Sequence, residues 1–102
     1  MTTETGMGLL PGAIVMVEWV DSFRCGDSWE PIESAKATAG KIMRCRSVGW
    51  IMCRDKDSLT VVPHLADIGD LGEARQVVGQ LTIPAKSVVK ITVLGKANRR
   101  RR

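Results

Sequence analysis

A chain of 102 residues with 44% apolar and 25% charged side chains has ordinary globular usage, which excludes a wholly disordered polymer. At this length it holds one domain with a small core, and a second copy of the chain is expected to help complete it as a homo-oligomer. The formal charge of +4 is unevenly placed: five of the fifteen Lys and Arg residues are Lys96 and Arg99 to Arg102, and without them ten basic residues face eleven acidic ones. The body is therefore near neutral and the cationic excess belongs to a tail, an electrostatic handle for a polyanion rather than a basic face built among strands.

The longest apolar stretches, such as Ala13 to Val17, are far below the length that crosses a bilayer, and Met1-Thr2-Thr3-Glu4-Thr5-Gly6 lacks the cationic start of a secretory leader. The expectation is a soluble, cytoplasmic chain with no membrane partner. Cys25, Cys45 and Cys53 form an odd set without a CxxC pair, so they are read as reduced thiols, with Cys45 and Cys53 acting as small hydrophobes inside apolar runs. Adding His64 does not produce the paired spacing of a structural zinc site, and no metal or other cofactor is expected.

In chain order, Leu9-Leu10-Pro11-Gly12 is a turn signal, so residues 1–12 form an arm and the first strand opens at Ala13. Ala13 to Val20 is rich in β-branched residues, with Val15, Val17 and Trp19 on one parity and Glu18 on the other. The pattern breaks from Asp21 to Gly40: the first half is loop, and Pro31 to Ala37 holds one or two helical turns that Asp27 or Ser28 can cap. Ile42 to Arg54 is a long second strand with a bulge or bend expected at Gly49. Asp55-Lys56-Asp57-Ser58 turns it into a third strand, Leu59 to Val62, which Pro63-His64 closes. Residues Ala66 to Gln76 read as a solvated acidic loop, Val77 to Ile83 as a fourth strand, Pro84 to Ser87 as a single 3₁₀ turn and Val88 to Leu94 as the last strand. Together these predict an all-β fold: a small five-stranded SH3-like or Sm-like barrel over residues 13–94, with a short helical insertion after the first strand, a 3₁₀ turn before the last and a basic tail over residues 95–102.

Several blocks, in this order and spacing, resemble small proteins of tailed bacteriophages and prophages: Val17-Glu18-Trp19-Val20-Asp21-Ser22, Ser47-Val48-Gly49-Trp50-Ile51, Leu59 to His64, Ile83-Pro84 and Val88-Val89-Lys90-Ile91. The resemblance spans residues 13–94 and implies a β-barrel that works in an infected or lysogenic bacterial cell. The segment from Gln80 to Val93 is also similar to the closing part of Sm-like RNA-binding rings. The Gly-bearing signatures and base-stacking aromatics of those rings have no counterpart here, so none of their RNA contacts transfers.

Two candidate sites follow. Lys96, Arg99, Arg100, Arg101 and Arg102 are suited to the backbone of DNA or RNA, because guanidinium groups bind phosphates bidentately and release counterions; the alternative is a solubilising end. The loop from Asp21 to Glu30 gathers Phe23 and Trp29 with Asp21, Arg24 and Glu30, a set able to stack a planar ligand and bond its polar edge. The plainer and preferred reading of Trp29 is a lid folded over the barrel end. Trp19 and Trp50 are assigned to the core. His64 has no nucleophile motif around it, and a Cys25–His64 pair is the weakest of the options, so no catalytic residue is assigned. The chain reads as a non-enzymatic binding module, either an accessory to phage nucleic-acid metabolism or a counter-defence or host-takeover factor that sequesters a host protein or a nucleotide signal.

Overall fold

Alternating β-branched residues place Val15 and Val17 on one face of the first strand, β1 (Ile14–Ser22), and both side chains are fully buried. The computed structural model describes residues 12–24 and 26–96; the expected arm up to Pro11, Cys25 and the tail beyond Lys96 lie outside the described residues. β1 runs on through Asp21 and Ser22, which the sequence assigns to a loop, because Met43 and Ile42 of β2 (Ile42–Arg54) pair opposite them. Between these strands α1 (Ile32–Lys36) is a single turn that buries nothing. Neither Asp27 nor Ser28 caps it: the helix starts later, on the Pro31 carbonyl, which accepts from the amides of Ser34 and Ala35.

β2 continues through the Asp55 turn into β3 (Ser58–Val62). The Asp55 carboxylate accepts the backbone N–H groups of Asp57 at 2.8 Å and Ser58 at 2.9 Å, closing the turn. These two bonds to the ionised form, that from Asp57 first, hold the Asp55 carboxyl below its ordinary pKa. Of the bulge or bend expected at Gly49, the bulge is not there. Gly49 pairs in unbroken register with Val15, and the register slips between Ile51 and Cys53 instead. Glycine is required at 49 by close approach: a Cβ there would lie 2.7 Å from the Val62 carbonyl oxygen.

Three further expectations are corrected. His64 does not close a strand but opens β4 (His64–Ile68), and the acidic segment after it is not a loop, because β4 pairs antiparallel with β5 (Ala74–Val78). The charges that argued for solvent sit on the hairpin, where Arg75 pairs with Asp67 at 3.4 Å and Glu73 at 3.5 Å. Val77 to Ile83 is not one strand: Gly79, at φ +84°, ends β5 and turns the chain into β6 (Leu81–Pro84). The predicted 3₁₀ turn stands at Ala85–Ser87, leading into β7 (Val88–Gly95).

The strands form a five-stranded antiparallel sheet in the order β6-β3-β2-β1-β7 and a separate β4-β5 ribbon. The all-β expectation holds, but the five-stranded barrel does not: seven strands are present among the described residues, and β6 and β7 stand at opposite edges without a ladder between them. The sheet instead curls far enough for side chains of both edges to meet. Ile83 of β6 shares a cluster with Val15, Val17, Leu59 and Val61, and Val88 and Ile91 of β7 pack against it. The only buried polar side chain among the described residues, Thr60, shares a 2.8 Å hydroxyl hydrogen bond with Thr82. Trp19 packs against this cluster and donates from Nε1 to Ser47 Oγ at 3.0 Å. Trp50 is not part of the cluster; it lies half-buried on the opposite face, paired with Ile14 and Val62. No helix among the described residues is long and apolar enough to cross a membrane.

Candidate nucleic-acid interface

The face of the sheet opposite the core is graded along β1. At one end it is apolar, with Ile14 beside Trp50 and Met16 beside Val48; at the other it is basic. Glu18 is flanked in register by Arg46 on one side and Lys90 on the other, and in the next row Val20 stands beside Arg44. Paired residues of an antiparallel ladder share a face with their Cβ atoms about 5 Å apart, so three cations and one carboxylate occupy two adjacent rows. Arg44, Arg46 and Lys90 are exposed, whereas Glu18 is half-buried. Arg46 Nε lies 3.6 Å from Glu18 Oε1. A pair with one partner open to solvent and this separation is weak, so it leaves the guanidinium capacity for an anion. A hollow of about 450 Å³ borders these basic rows, lined by Glu18, Trp19, Val20, Arg44, Arg46 and Val89 among others.

The sequence reading missed this face. Without the tail the composition is near neutral and points away from a folded basic surface, because net charge carries no information about which side of a strand a charge occupies. The available signal was the i, i+2 spacing of Arg44 and Arg46 within a strand whose limits were correctly read. Of the tail residues, Lys96 is exposed just after β7, and Arg99 to Arg102 lie outside the described residues.

The loop set is distributed differently from what its sequence proximity implied. Asp21 belongs to β1, and its carboxylate accepts the Ser22 N–H at 2.7 Å. Phe23 is exposed, with Lys41 Nζ 6.0 Å from its ring centroid. Arg24 is ion-paired with Asp27, and both side chains are solvated. Trp29 is 103% exposed, which overturns its assignment as a lid: it covers nothing. It borders a shallow hollow of about 180 Å³ with Gly26, Ser28 and Glu30, which neither Phe23 nor Arg24 lines.

His64 is exposed and pairs with Val78 at the base of the β4–β5 ribbon, beside a hollow of about 420 Å³ whose other lining includes Leu65, Ala66 and Val77. Cys45 and Cys53 are half-buried rather than core residues. Among the described residues no three His, Cys, Asp or Glu side chains converge as metal ligands. No protein-family model, curated protein or solved structure matches the chain.

Proposed function

We propose that this protein is a non-catalytic module that binds the phosphate backbone of nucleic acid, using the basic rows of the sheet as the docking face and the C-terminal arginines as an additional electrostatic arm. The observation that carries the reading is the Arg46–Glu18–Lys90 row with Arg44 beside it. A sheet face sets its cations at the regular spacing of the backbone, and guanidinium groups take phosphate oxygens bidentately. β7 carries Lys90 on this face and ends at Gly95, just before Lys96, so in sequence the arginine segment comes soon after a strand of that face. The resemblance of residues 13–94 to tailed-phage proteins supports an accessory role in phage nucleic-acid metabolism within a bacterial cell. The curled sheet, whose edges are joined by a 3₁₀ turn, supports the SH3-like or Sm-like reading of the fold in an open form.

The test is the salt dependence of duplex DNA binding. Eight cations engaged, three on the face and five in the tail, correspond to a slope of log K against log salt of about −7, and each one removed lowers it by about 0.9. Deleting residues 96–102 is expected to leave a slope near −3, and Arg44→Ala with Arg46→Ala in that background to remove most of the remainder. Binding that survives both changes undiminished, or no binding by the intact chain, would overturn the reading.

A further inference from the structure

The basic rows hold one carboxylate, and it stands at their centre. Glu18 has Arg46 in register on one side and Lys90 on the other, with Arg44 in the next row, while its neighbours along β1 on this face, Met16 and Val20, carry no charge. Adjacent strands lie about 4.8 Å apart, so Arg46 and Lys90 leave their backbones roughly 10 Å apart with Glu18 midway. The paired side chains also differ in depth. That of Arg46 is 73% exposed and reaches into solvent, whereas that of Glu18 is 29% exposed and recessed.

The adjoining hollow of about 450 Å³, with Val20, Arg44, Arg46 and Val89 in its lining, has the size of a small-ligand site and two guanidinium groups suited to a phosphate. Glu18 lines the same hollow. A free phosphate or mononucleotide that entered to reach both arginines would bring its charge against a carboxylate, with only those two cations to offset the repulsion. A nucleic-acid backbone is under no such constraint. Its phosphates are linked, so they can meet the outward ends of Arg44, Arg46 and Lys90 together without any of them entering the hollow, and linked contacts reinforce one another.

Resting on the nucleic-acid reading above, we infer that Glu18 is the specificity-determining residue of this face: it excludes single phosphates and mononucleotides from the Arg44–Arg46 hollow and leaves the cations to a polyanion. The weak pair with Arg46, 3.6 Å from Nε to Oε1, suits that role, since the guanidinium is released to a polyanion while the carboxylate still guards the hollow. A carboxylate that served only to hold Arg46 ready would have the opposite effect, and its removal would weaken binding of every anion.

The test compares the intact chain with Glu18→Gln, which removes the charge at nearly constant shape, and Glu18→Asp, which keeps it. Glu18 lies on the face opposite the core cluster, so both variants keep the fold. The probes are inorganic phosphate, adenosine monophosphate and a DNA duplex of about 15 base pairs, each titrated calorimetrically, the duplex at several salt concentrations. The intact chain and Glu18→Asp are expected to bind the duplex and to show no saturable binding of either small anion at millimolar concentration. Glu18→Gln is expected to bind both small anions and to tighten on the duplex by about two- to ten-fold, the effect of removing one like charge beside a solvated contact. Its salt slope should match that of the intact chain, because the same cations are engaged. Small anions bound by the intact chain, no gain of either in Glu18→Gln, or Glu18→Asp behaving as Glu18→Gln overturns the inference. A fall in duplex affinity in Glu18→Gln overturns it too, and makes Glu18 a support for Arg46. The nucleic-acid reading fails separately: if no form binds the duplex while Glu18→Gln gains the small anions, that reading falls and the exclusion by Glu18 stands.

Discussion

Strand β3 and the β4–β5 ribbon are neighbours in sequence, separated by Pro63 alone, and draw on similar side chains: Leu, Thr and Val in one, Leu, Ile, Ala and Val in the other. Four of the five β3 residues are buried, and no residue of β4 or β5 is. The difference is one of neighbours rather than composition. β3 has β2 on one side and β6 on the other, and its inward residues meet β1 across the curl of the sheet. β4 and β5 have only each other, and a two-stranded ribbon without a covering layer is marginal on its own. Apolar content allows burial; the number of paired edges decides whether it happens.

The comparison breaks most visibly in the core. Ile83→Ala removes a fully buried side chain from the cluster and is expected to cost about 2 to 5 kcal/mol, read as a fall in Tm; a change no larger than that of a surface variant would mean that the cluster is not what holds the sheet. At the junction of the two regions, Gly79→Ala forces a side chain into φ +84°, with its Cβ 3.1 Å from the Pro63 ring. The expected loss is about 1 to 2 kcal/mol, and a neutral result would show that the ribbon relaxes independently of the sheet. On the ribbon itself, Val78→Ala, at a residue 64% exposed, should shift stability by no more than about 0.5 kcal/mol. Amide exchange should sharpen this contrast, with β4–β5 amides exchanging well ahead of those between β2 and β3; equal protection would require a hidden cover for the ribbon.

The smallest effect concerns how each hairpin is turned. The β2–β3 turn is closed by two backbone N–H groups on the Asp55 carboxylate, whereas in the ribbon's turn the Glu73 carboxylate accepts one, from Leu71 at 3.0 Å, beside the ion pairs of Arg75. A carboxyl whose pKa is lowered by folding contributes stability above the unfolded value and loses it as pH falls through the folded one. Asp55→Asn should therefore lower stability at neutral pH and converge with the parent at low pH, where the parent's carboxyl is protonated too, which flattens the acid limb, whereas Arg75→Ala should leave the slope of that limb unaltered. An unchanged acid limb in Asp55→Asn would remove the carboxylate from the turn's account.

Most of the sheet was legible in the sequence. β2 was read with its observed limits, and β1, β3, β7 and the 3₁₀ turn within two residues, because β-branched alternation and turn residues are local signals. The β4–β5 ribbon was not, since its strands carry charge at positions that are satisfied only by pairing with each other, as Asp67 is by Arg75. Closure into a barrel was over-read for a similar reason: whether β6 meets β7 depends on curl, which no single strand encodes. For the candidate site, the aromatics and loop charges were named from the sequence, but Trp29 was misjudged because hydrophobicity predicts burial only where neighbours exist. The basic face was invisible until register placed Lys90 and Arg46 on either side of Glu18.

That same register sets an order of events during synthesis. β1 is flanked by β2, which follows within some twenty residues, and by β7, which is made after more than sixty others. Until residues 88–95 leave the ribosome, β1 presents Val15 and Val17 along an open edge, and the Ala85 amide has not yet reached the Asp57 carbonyl, 2.8 Å away in the finished fold, that ties the last turn to the β2–β3 hairpin. A sheet whose first strand is completed by its last folds late and through long-range contacts, a slow route that leaves an unpaired edge exposed to other nascent chains.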